Sequence, residues 1–98
     1  MKIHLVRTGG FGGIRREVRI ETRSLPSEEA GPLERLVHDS GFFALPGQFP
    51  KPAKGADYFT YSITVEDSER VHTVRVAEPV LPESLRLLVL EVSKRLSG

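Results

Sequence analysis

Ten consecutive residues, Asp57 to Glu66, alternate with a period of two. Phe59, Tyr61, Ile63 and Val65 share one parity, while Tyr58, Thr60, Ser62 and Thr64 share the other. Successive side chains of a strand point to opposite faces, so this run reads as a β-strand with one dry face and one wet face. A sheet with a single dry face must be covered by a second layer. Asp67-Ser68-Glu69 turns the chain back, and Arg70 to Ala77 returns with His72, Val74 and Val76 on one face.

A similar pair opens the chain. Lys2 to Thr8 and Ile14 to Thr22 read as strands, the second with Ile14, Val18 and Ile20 on one parity and Arg15, Glu17, Arg19 and Glu21 on the other. Arg16 falls on the apolar parity, so it either snorkels near the strand's end or marks a bulge. The helical segments are also periodic. Leu25-Pro26-Ser27-Glu28-Glu29 opens a helix in which Ser27 is the expected cap and two acids complement the dipole. Leu33, Leu36 and Val37 continue it, and Gly41 supplies the stop. Proline inside a helix costs ~3 kcal/mol, so we expect a short first turn through Glu29 and then Pro32 at the start of the helix proper.

Phe42, Phe43 and Leu45 form an apolar anchor beneath the sheet, and the proline- and glycine-rich stretch from Pro46 to Ala56 reads as a stiffened loop. A last helix begins at Pro82 and carries Leu85, Leu88, Val89, Val92 and Leu96 as its apolar stripe. The element order ββαββα predicts a single α+β domain over residues 1–98, a four-stranded antiparallel sheet with two helices packed on one face. The pattern leaves strand order open, because the two hairpins join equally well through either edge. An exposed edge also invites self-pairing, so a monomer or weak dimer is expected.

Several chemistries are disfavoured. The chain has no cysteine, which removes thiol nucleophiles, disulfides and sulfur-ligated metal sites. His4, His38 and His72 show no metal-ligand spacing, no serine stands in a Gly-x-Ser-x-Gly elbow, and the carboxylates are scattered. We therefore expect no catalytic residue, no metal and no cofactor. A net charge of +1 supplies no field for nucleic acid or an anionic membrane. Arg15, Arg16, Arg19 and Arg23 cluster, yet Glu17 and Glu21 compensate them along the same face, and no aromatic residues interleave as a stacking platform. No apolar run approaches a membrane span and the start lacks a secretory hydrophobic region, so the expected location is the cytoplasm.

What remains is Thr8-Gly9-Gly10-Phe11-Gly12-Gly13, an aromatic ring carried on four glycines between two strands. Hairpin loops normally need two to five residues, and ordered glycine costs folding entropy. Two readings stand: Phe11 folds back onto the core, or it projects as an apolar finger toward another molecule's pocket. The loop is no phosphate cradle. It lacks the Gly-Lys-Ser/Thr ending and joins strand to strand, where a P-loop must lead into a helix.

The opening strand, Gly9 to Arg16 (Gly-Gly-Phe-Gly-Gly-Ile-Arg-Arg), Gly41-Phe42-Phe43-Ala44-Leu45-Pro46, and Asp57-Tyr58-Phe59-Thr60-Tyr61 occur together, with His72-Thr73-Val74-Arg75-Val76 and the closing leucine helix behind them. In this order the chain resembles the emfourin family, small bacterial proteins that include an inhibitor of protealysin. Pro32 departs from that pattern. The resemblance implies a non-enzymatic inhibitor of thermolysin-like zinc metalloproteases, acting inside bacterial cells. Such proteases favour a bulky apolar residue just after the scissile bond, a pocket that Phe11 suits. The expected partner-binding surface is accordingly Thr8, Gly9, Gly10, Phe11, Gly12 and Gly13, with Phe49, Pro50 and Pro52 of the stiffened loop as flanking contacts. The alternative is a protein- or peptide-binding accessory module that engages a different partner along an exposed sheet edge.

Overall fold

The computed structural model describes residues 1–10, 13–52 and 58–96. Its strands are β1 (Lys2–Gly9), β2 (Arg16–Glu21), β3 (Phe59–Glu66) and β4 (Val71–Ala77), and its helices are α1 (Ser27–Asp39) and α2 (Glu83–Ser93). All pairings are antiparallel and the spatial order is β2-β1-β3-β4, so the two hairpins join through β1 and β3. The ββαββα order and the α+β architecture match the expectation.

Register follows burial. Ile3 pairs with Ile20 on one side and Val65 on the other, and Leu5 lies between Val18 and Ile63. Their side chains point to one face, where Leu33 and Val37 of α1 and Leu85, Leu88, Val89 and Val92 of α2 complete a continuous buried cluster. Arg95 Nη2, just past α2, donates to Glu29 Oε1 of α1 at 3.4 Å. The opposite face keeps His4, Val6, Thr8, Glu17, Arg19, Thr60, Ser62, Thr64, Thr73 and Arg75 outside that cluster.

Three expectations are corrected. Ile14 lies outside β2 and is 55% exposed. The last rung between β1 and β2 is Arg7 with Arg16, so past that point no partner residue sustains the alternation. Arg16 is half-buried at the strand's first position, and the register from Glu21 reaches it without a bulge. Second, α1 is one helix with Pro32 inside it, and its cap position is Pro26, with no side-chain cap. Pro32 and Glu28 are both exposed, so the carbonyl that loses its amide partner faces water. The residue before Pro32 is Gly31, which has no Cβ for the proline ring to crowd. Third, Pro82 is the cap of α2 rather than its first helical residue.

The stop at Gly41 holds: it adopts φ +62° and its amide donates to the His38 carbonyl at 3.0 Å. Phe42 behind it is buried, with Phe43 edge-on at 5.8 Å and His72 at 5.6 Å. Within the segment read as loop, Gln48 forms a parallel bridge with Arg75 of β4.

Candidate partner-binding site

Glycine chemistry shapes the end of the β1–β2 hairpin. Gly9, Gly10 and Gly13 have φ of +89°, +69° and +63°, the left-handed region that residues with a Cβ avoid. The Gly10 amide donates to the Tyr58 carbonyl at 3.1 Å, which anchors the loop to the start of β3. The Gly13 amide donates to the Gly10 carbonyl at 3.3 Å, so the chain enters and leaves the loop tip within hydrogen-bonding distance. Phe11 and Gly12 lie outside the described residues.

Beneath this anchor, the Arg7 guanidinium sits 4.4 Å from the centroid of the Phe59 ring, which in turn tilts against Tyr61 at 6.4 Å. Cation–π contact of this kind holds the ring in one orientation. Burial pushes the Tyr61 hydroxyl above its ordinary pKa, and the Glu78 carboxylate adds to the effect.

The stiffened loop reaches the same end of the sheet. Arg75 donates its amide to the Gly47 carbonyl and accepts at its own carbonyl from the Phe49 amide, both at 2.9 Å. A groove of about 390 Å³ lies between the two segments, lined by Thr8, Gln48, Pro50, Tyr58, Thr60 and Arg75 among others. A smaller one of about 320 Å³ adjoins it, with Val6, Arg15 and Ser62 in its wall. Thr8 therefore meets the Phe49–Lys51 segment across one groove. Phe49 is half-buried and packs against the core, Pro52 is half-buried, and Pro50 is exposed.

Tyr58, Thr60 and Arg75 also line the groove, beyond the residues expected from the sequence. Their wet parity was visible, but only the adjacency of β1 and β3 puts Thr60 beside Thr8. On the same face His4 Nε2 donates to Glu17 Oε2 at 2.7 Å, and Arg15 approaches that carboxylate at 3.4 Å. The histidine bond, followed by the arginine, holds the Glu17 carboxyl below the usual carboxylate range. His72 donates to the Leu45 carbonyl at 2.7 Å and His38 is exposed at the end of α1, so the three histidines stay apart. Among the described residues no group of three or more His, Asp or Glu is placed to hold a metal ion. No helix there is long and apolar enough to cross a membrane.

The family model described as Emfourin matches residues 5–93 of the chain. Among solved structures the chain is similar to emfourin (M4in) from Serratia proteamaculans, described as an M4 family peptidase inhibitor. The identity is 18% and the TM-score 0.49, over 99% of this chain and 90% of that one. Comparison with curated proteins finds no match.

Proposed function

The chain belongs to the emfourin family, and on that premise we propose that it is a non-enzymatic protein inhibitor of thermolysin-like zinc metalloproteases. The observation that carries the reading is that the family match spans the glycine-flanked Phe11 together with β2 and the part of β1 from Leu5 onward.

In this reading Phe11 enters the pocket that receives the bulky apolar residue after a scissile bond. A buried phenylalanine ring covers ~150 Å² or more, worth a few kcal/mol at ~25 cal/mol per Å². Association itself costs several kcal/mol, so one ring gives only weak binding and flanking contacts are required. Thr8, Gly9, Gly10, Gly12 and Gly13 supply backbone that approaches the cleft closely, since four of them carry no side chain. Phe49, Pro50 and Pro52 supply the second surface, with Pro50 the exposed member. Prolines limit what must be ordered on docking. Inhibition then works by filling the cleft, with the protease's zinc left in place.

Steady-state kinetics with a thermolysin-like protease test this. The expected pattern is competition with substrate, relieved by raising substrate concentration, with the enzyme-bound zinc retained. Loss of zinc, or inhibition indifferent to substrate, contradicts it.

A further inference from the structure

The two outer strands of the sheet are finished differently. Segment 47–49 bridges β4 at Arg75, whereas β2 has β1 on its inner side and, among the described residues, no strand on its outer side. Its residues Arg16 to Glu21 follow Arg15 and read Arg-Glu-Val-Arg-Ile-Glu, with Glu17, Arg19 and Glu21 on the open face of the sheet and Arg15, just before the strand, beside Glu17. Charges on an edge strand ordinarily deter pairing. Here their order is self-complementary.

Consider two copies placed edge to edge, β2 against β2, antiparallel about a two-fold axis through Val18. Residues directly opposite then share a face. Glu17 of each copy meets Arg19 of the other, giving two crossing pairs of opposite sign within the strands, and Glu21 of each comes toward Arg15, the residue that precedes the other's strand. Val18 meets Val18 on the helical face, and Ile20 lies against the stem of Arg16. Sliding one copy by two residues in one direction sets Glu17 against Glu17 and Arg15 against Arg19. The other direction sets Arg19 against Arg19 and Glu17 against Glu21. A slip of one residue turns the helical face of one copy to the open face of the other. Among these neighbouring registers, only the pairing centred on Val18 satisfies the charges and keeps the helices on one side.

We propose that the outer edge of β2 is a self-association surface, joining two copies of this chain into a continuous eight-stranded antiparallel sheet. The pairing is weak. Glu17 already has His4 and Arg15 beside it, and Glu21 has the Met1 amino group at 3.4 Å, so the crossing pairs add to carboxylates that are partly compensated. A six-residue edge also buries less than a standard interface. The inference is independent of protease inhibition. Antiparallel pairing puts the two glycine loops at opposite ends of the joined strands, roughly 30 Å apart at ~3.3 Å per residue, and leaves both free.

Sedimentation of the intact protein at low salt, up to about 1 mM, is the test, since exposed charge pairs are screened as salt rises. The expected mass rises with concentration from 10.9 kDa toward twice that value, and falls back in high salt. Arg19→Glu sets like charges opposite each other at both in-strand pairs and should weaken the dimer about tenfold or more. The chain has no cysteine, so Val18→Cys gives an unambiguous second readout. It should form a disulfide-linked dimer faster than Leu90→Cys, placed at an exposed position of α2, and Arg19→Glu should slow it. A monomer throughout, a dimer indifferent to Arg19→Glu, or equal cross-linking at Val18 and Leu90 overturns the proposal.

Discussion

A Cβ built on Gly9 stands 2.7 Å from the carbonyl oxygen of Tyr58, closer than side-chain carbons come to backbone oxygen. The same carbonyl accepts the amide of Gly10. The last residue of β1 and the residue just before β3 are thus in contact because the side chain that would part them is missing, and the candidate loop is anchored by that contact.

The three described loop glycines should therefore tolerate alanine unequally. At Gly9 the obstacle is backbone and φ is +89°, so Gly9→Ala should cost ~2–4 kcal/mol. At Gly10 the built Cβ lies 2.6 Å from Cε1 of the Phe59 ring, which can swing aside only by leaving Arg7, giving ~1–3 kcal/mol. Gly13 has open space and only its φ of +63° to pay for, about 1 kcal/mol. Urea unfolding of the three variants should rank them in that order.

Asp67 gives a pH signature. Its carboxylate accepts the amides of Glu69 at 2.9 Å and Arg70 at 2.7 Å and meets the Arg70 guanidinium at 3.1 Å, closing the β3–β4 turn. Those two amides first, and the guanidinium after them, hold its pKa below the usual value. A carboxylate depressed in the folded state stabilises above its unfolded pKa, about 4, and the contribution is lost as pH falls through the lower folded value. Asp67→Ala should lower Tm at pH 7, and the gap from the parent should close below about pH 4. A gap that stays constant through the acid range contradicts the assignment.

Phe49 and Pro50 separate packing from docking. Phe49 is half-buried against the core and donates its amide to Arg75, so Phe49→Ala should destabilise the fold by ~1–3 kcal/mol in urea unfolding. Pro50 is exposed, and Pro50→Ala should leave stability within about 0.5 kcal/mol while weakening protease inhibition. Unchanged potency for Pro50→Ala removes this loop from the interface.

Elements with a periodic apolar face were legible in the residues alone. Tyr61, Ile63 and Val65 of β3 and Leu85, Leu88, Val89 and Val92 of α2 are buried as their spacing requires. What depended on a partner across space was not legible. Ile14 continues the parity of Val18 and Ile20, but β1 turns away at Gly9 before it can pair with it. Pro32 reads as a helix start because a lost backbone bond is costly; exposure of that carbonyl to water lowers the cost. Gln48 makes a single rung with Arg75, and one rung has no period to detect. The order β2-β1-β3-β4 is a property of the two hairpins together, and neither alternation encodes it. The groove beside Thr8 follows from that order, so its floor became visible only in three dimensions.

The most direct test of the whole account is the ratio of inhibition constants for the parent protein and Phe11→Ala against one thermolysin-like protease, with folding of the variant verified by unfolding. Loss of ~150 Å² of ring contact should weaken inhibition on the order of 100-fold while stability is unchanged. Equal potency of the two proteins would remove the ring from the mechanism, and no inhibition by the parent at any concentration would remove the function.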